Sequence, residues 1–261
     1  MSVYDLVEQE ELVAHGRELV DSYLEGIYGE SAPDVPAYVL DSKHFHRKAQ
    51  RDPLELTGRV EVGFYSPHRN LLQGMHKAVY LEDQDEHREQ CVPRYQRMRD
   101  EAANDTWDPG RAAAIDRQLA FWDAMIPEIV TVHEYAHAFL DDYTGNPTWK
   151  DELTSEGFAT FTEMAVLEGS GYFDEDYIAS YKAARLPALM DSQREGMAKF
   201  QRLWEKSPSP EFFAASVRLL GERKGWFSRV WIDDYMTALD EVSPEELAAA
   251  NDMYDIVTRE R

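Results

Sequence analysis

The run Thr131-Val132-His133-Glu134-Tyr135-Ala136-His137-Ala138-Phe139 constrains this chain more than any other segment. It spells H-E-x-x-H, with uncharged residues at every other position of the run. Side chains four apart come together only on a helix, where they lie one above the other on one face. In that conformation both imidazoles can reach a single Zn²⁺ at ~2.0–2.1 Å, and Glu134, one residue round the helix, stands beside the coordination position left open. The spacing therefore predicts a helix and a metal site together, with His133 and His137 as ligands.

A third ligand follows from the next forty residues. The cluster Asp141-Asp142-Tyr143-Thr144-Gly145-Asn146-Pro147 is rich in turn formers and ends the first helix. A second helical pattern runs from Asp151 to Leu167, with Thr148 as its expected N-cap and Asp151 in the capping-box position. Phe158, Phe161 and Ala165 form an apolar stripe, while Glu152, Glu156 and Glu163 lie on another face. A tight loop places the second helix beside the first, so one of its glutamates can complete a His₂Glu set and leave one position for water. Glu156 is the expected ligand because it lies beyond the first helical turn, and Glu152 is the alternative.

With eighteen residues between His137 and Glu156, the latter in Ser155-Glu156-Gly157-Phe158-Ala159, the segment from Val130 to Leu167 resembles the gluzincin metallopeptidases. The aminopeptidase N group, which carries N-E-G-F-A at this spacing, is similar, and thermolysin is a more distant likeness. The resemblance implies an α+β, zincin-like fold, with a small mixed β-sheet over the zinc helix and a mainly helical C-terminal subdomain. It implies one such domain over residues 1–261, with an N-terminal lobe at 1–142 and a C-terminal lobe at 143–261 that carries the third ligand. It further implies one Zn²⁺ per chain, a peptide or protein substrate, and Glu134 as general base toward a metal-activated water. Glu163, seven residues after Glu156, falls where the family has an acid that orients a zinc histidine. Metzincins fit badly, because Leu140 and Tyr143 stand where they need Gly and His or Asp.

The chain departs from the family at two places. No G-x-M-E-N loop precedes the zinc helix, and Gly74-Met75-His76-Lys77 lacks the acid that would grip a substrate α-amine. Endopeptidase activity is therefore expected rather than aminopeptidase activity. In addition, Phe212 occupies the place of the tyrosine that stabilises the oxyanion in the family. Tyr172, Tyr177 and Tyr181 remain as candidate donors. The same Phe212 supports a second reading, a zincin-fold binding or regulatory module with a structural zinc and little turnover.

Composition narrows the classes further. Hydrophobic residues make up 43% of the 261, enough for a substantial core. The charged N-terminus lacks the apolar stretch of a signal peptide, and no uninterrupted apolar run approaches a membrane span of ~18 residues. The single cysteine, Cys91, has no intrachain partner and fits a reducing compartment. These features predict a cytoplasmic protein without a membrane partner. Fifty acids against 27 bases give a formal charge of −23, which makes nucleic acid a poor partner. Only eight of the bases are lysines, and this balance suggests a halophilic host.

Elsewhere, Leu6–Tyr28 has helical apolar spacing, while Ala37–Leu40, Val60–Tyr65 and Lys77–Leu81 are rich in strand formers. Arg111–Met125 reads as a helix, and Pro127 suits the first turn of the zinc helix. Ser209-Pro210 and Ser243-Pro244 read as N-cap and N1 pairs in a helical C-terminal half. His44 and His46 alternate on an expected solvated strand, and Cys91 reads as a small buried side chain rather than a metal cap.

Overall fold

Proline and its capping partners set the start of several helices. Pro127 opens helix α5 (Pro127–Thr144), its fixed φ costing nothing where no backbone donor is needed. Ser209 precedes Pro210 at the start of α9 (Pro210–Arg218), its Oγ accepting from the Phe212 N–H. Ser243 caps α11 (Pro244–Ala249) in a complete capping box with Glu246. The computed structural model describes residues 3–49, 63–67, 77–103, 109–146, 148–226 and 228–258. Its other helices are α1 (Val3–Tyr28), α2 (Ser42–Ala49), α3 (Gln84–Ala103), α4 (Pro109–Ala124), α6 (Glu152–Gly169), α7 (Glu175–Ala188), α8 (Asp191–Lys206), α10 (Ile232–Glu241) and α12 (Met253–Val257). Strands β1 (Ala37–Leu40), β2 (Gly63–Ser66) and β3 (Ala78–Glu82) form one mixed sheet in the order β1-β3-β2. The class is α+β and mostly helical.

The chain divides into two compact units, with three of the limits inside α1, α5 and α6. The first comprises Met1–Glu18, Val35–Glu134 and Leu167–Met190. Its sheet has β3 at the centre, parallel to β1 and antiparallel to β2, and every residue of β3 is buried. A short apolar run in a central strand is what burial on both faces requires. Phe45 of α2 packs on Ala78 and Tyr80, and Phe64 stacks on Tyr80. Helices α3 and α4 pair through Tyr95 and His87, whose rings meet Trp122 edge-on. Arg88 ties the end of this pair by donating to the Met125 carbonyl at 3.0 Å. In α1, a Cβ on Gly16 would lie 2.6 Å from the Glu128 carbonyl oxygen, so glycine permits a backbone approach between α1 and α5 there.

The second unit comprises Leu19–Asp34, Tyr135–Val166 and Asp191–Arg261. Its core is aromatic. Tyr28 meets Phe139, Tyr143, Phe158 and Phe213, and Phe200 meets Phe158 and Phe161. Each such ring fully removed from water stabilises the fold by ~1.5–3 kcal/mol before conformational entropy is counted. Gly145, at φ 61°, ends α5 as the turn cluster requires.

Two local expectations are corrected. Thr148 does not cap the second helix. Its hydroxyl donates to Asp141 Oδ1 in a 3-10 turn, and α6 starts after Asp151, whose carboxylate accepts from Thr154 Oγ1 and whose carbonyl accepts from the Ser155 N–H. The loop after Gly145 is so short that Thr148 is drawn back toward α5. His44 lies on helix α2, not on a strand, because Asp41 accepts the His44 N–H on Oδ1 and the Phe45 N–H on its carbonyl. Positions 60–62, Gly74–His76 and the side chains of His46 and Cys91 lie outside the described residues.

Candidate metal centre

Helix α5 is apolar and buried over most of its length, and that burial orients the few polar side chains within it. His133 and Glu134 are buried, while His137 is half-buried. On α6, Glu156 is half-buried where the helix has left its first turn. One ligand atom each from His133, His137 and Glu156 lies within 4.8 Å of the others. Among the described residues this is the group suited to holding a metal ion. Glu152, the sequence alternative, is exposed and accepts from Ser192 Oγ at 3.2 Å.

The donor set fits a metal. His137 Nε2 stands 3.8 Å from Glu156 Oε1, close to the ~3.4 Å separating two ligands bound at ~2.0–2.1 Å with a tetrahedral angle between them. The other nitrogen of His137, Nδ1, lies 2.9 Å from Ser155 Oγ. With the Nδ1 hydrogen donated to that hydroxyl, the lone pair sits on Nε2 and faces the site. Glu156 Oε2 accepts from Gln193 Nε2 of α8 at 2.9 Å. Ser155 directly precedes the expected ligand but was not singled out by the motif. Nothing in the sequence marks Gln193, 37 residues further on, because only the packing of α8 brings it here.

Glu134 meets the sheet. A Cβ built on Gly63, in β2, would lie 2.7 Å from Val130 Cγ1, 2.9 Å from Glu134 Cγ and 3.1 Å from Glu134 Oε1. Strand β2 therefore runs directly against the carboxylate, and only a residue without a side chain fits there.

Glu163 is 1% exposed, so Glu152, Glu156 and Glu163 do not form a single solvated face. An ionised carboxylate so deeply buried requires partners, and Glu163 has them. The candidate tyrosines lie around α7. Tyr172 is exposed and meets His15 edge-on, and Tyr177 donates its hydroxyl to the Ala124 carbonyl at 2.9 Å. Tyr181 is buried against Phe121. Phe212 is buried in the first turn of α9 and carries no hydroxyl.

Comparison of the chain with protein-family models, with curated proteins and with solved structures found no match. The functional reading rests on these residues and their geometry.

Proposed function

We propose that this chain is a zinc-dependent metallopeptidase of zincin-like fold, acting as an endopeptidase rather than an aminopeptidase. The observation that carries the reading is the convergence of His133, His137 and Glu156, with Glu134 one residue along the same helix. Two neutral imidazoles and one carboxylate are the donor set of catalytic zinc, with one position open. Zinc supplies Lewis acidity, polarising a scissile carbonyl and lowering the pKa of water toward ~7. With zinc on Nε2, His137 would donate its Nδ1 hydrogen to Ser155 Oγ, which would hold the ring in place. Glu134 takes a proton from the attacking water onto its carboxylate and passes it to the leaving amine, so it ends the cycle ionised again. Its carboxylate is buried beside β2.

The test separates binding from chemistry. Wild-type protein should hold one zinc, and His133→Ala, His137→Ala and Glu156→Ala should each lose it. Glu134→Gln should keep the zinc and lose peptide hydrolysis by at least ~10²–10⁴. Undiminished hydrolysis by Glu134→Gln would remove the mechanism. Phe212 favours the second reading, a binding module with structural zinc, and a zinc-loaded wild type that cleaves no peptide in a diverse library would select it.

A further inference from the structure

We propose that Gln193 is a positioning residue that restricts Glu156 to one-oxygen coordination, through a glycine-on-glycine crossing of α6 and α8. This rests on the metal site of the preceding reading but assigns a role to a residue outside the motif. The crossing is unusually close. A Cβ on Gly157 would lie 2.5 Å from both the Cα and the carbonyl carbon of Gly196. A Cβ on Gly196 would lie 2.6 Å from the Gly157 Cα and would strike the Leu153 carbonyl oxygen. No side chain fits between the two backbones, so the helices touch where Gly157 follows the ligand Glu156 directly. Gln193 stands three residues before Gly196 and so shares its helix face. The crossing thereby brings the Gln193 amide over the carboxylate.

The two oxygens of Glu156 are then unequal. Oε2 accepts from Gln193 Nε2 at 2.9 Å, while Oε1 faces His137 Nε2 at 3.8 Å. Gln193 is 7% exposed, and an amide is buried at that level only with its polar atoms engaged. A carboxylate held by one oxygen offers the other alone to a metal. That arrangement leaves a coordination position for water or substrate, which a two-oxygen grip would fill. Ser192, the neighbour of Gln193, binds Glu152 at 3.2 Å and pins the same end of α8 to α6.

The experiment uses the full chain with Co²⁺ and Zn²⁺ as probes, in wild type, Gln193→Met and Gln193→Glu. Methionine keeps the volume and removes the donor, whereas glutamate keeps the shape and replaces the donor by an acceptor. Both variants should still bind one metal per chain, with zinc affinity in chelator competition reduced about 10–100-fold. The visible absorption of the Co²⁺ form should weaken as the coordination number rises. Melting of the metal-free Gln193→Met protein should stay close to wild type, which excludes a general loss of packing. Variants that match wild type in both zinc affinity and Co²⁺ spectrum would overturn the assignment of Gln193 while leaving the metallopeptidase reading intact. A wild type that binds metal and hydrolyses nothing leaves the assignment standing and removes that reading. A wild type that takes up neither metal overturns both.

Discussion

At the residue scale, the candidate ligand His137 depends on how its second ring nitrogen is held. His137 relies on Ser155, whose hydroxyl lies 2.9 Å from Nδ1. Ser155→Ala should lower zinc affinity about 10–100-fold while the fold survives, because the imidazole loses the hydrogen-bond partner that holds its orientation. Chelator competition reads this directly, and unchanged affinity would show that packing alone orients the ring. Glu128 presents a different case, in the first turn of α5. Burial raises its carboxyl pKa, partly offset by backbone hydrogen bonding and by His15. A folded pKa above the unfolded one means that ionisation costs stability. That cost is full above the folded pKa and disappears as pH falls below the unfolded value of about 4.3. Glu128→Gln should therefore raise the melting temperature at pH 7 and give no gain below about pH 4. A gain that persists in acid would point to a cause other than titration.

At the element scale, the close approaches are made by glycine. Gly63 in β2 leaves room for Val130 and Glu134, and a methyl group there would displace the carboxylate or the strand. Gly63→Ala should keep one metal per chain, since none of the three ligands is touched. Peptide hydrolysis should fall about 100-fold, the typical cost of moving a catalytic group by ~1 Å. Equal kcat in the two proteins would mean that β2 yields without disturbing Glu134. The helix boundaries obey similarly local rules. Pro127, Ser209-Pro210 and Ser243-Pro244 open helices where their cap chemistry predicts. Thr148 fails as a cap because the nearby Asp141 captures its hydroxyl, a contact that only the returning loop creates.

At the scale of the whole molecule, charge dominates. The formal charge of −23 is spread over a surface whose exposed ion pairs, such as Arg99–Asp116, are screened by solvent and contribute little. Self-repulsion among the remaining acids should destabilise the compact state where screening is weak. The Debye length falls from ~10 Å at 0.1 M to ~3 Å at 1 M salt. The melting temperature should therefore rise from low salt to molar KCl, and a flat or falling curve would remove the halophilic reading without touching the metal site. Among the described residues no helix is long and apolar enough to cross a membrane.

The sequence by itself determined whatever depends on spacing along the chain. Histidines four apart on a helix, a turn cluster after them and a glutamate past the next first turn were enough to put forward His133, His137 and Glu156, with Glu152 as the alternative, and the fold brings one ligand atom each of the first three within 4.8 Å of the others. The three strand segments were legible too, because β-branched and aromatic runs bounded by turn residues have few alternatives. What the tertiary structure alone decided is everything carried by contacts between distant segments. The burial of Glu163, the reach of Gln193 to Glu156 and the seat of Gly63 against Glu134 have no local signature. A glutamate on a helix reads the same whether it faces water or the core, and a glycine shows its necessity only when another backbone occupies the place of its missing side chain.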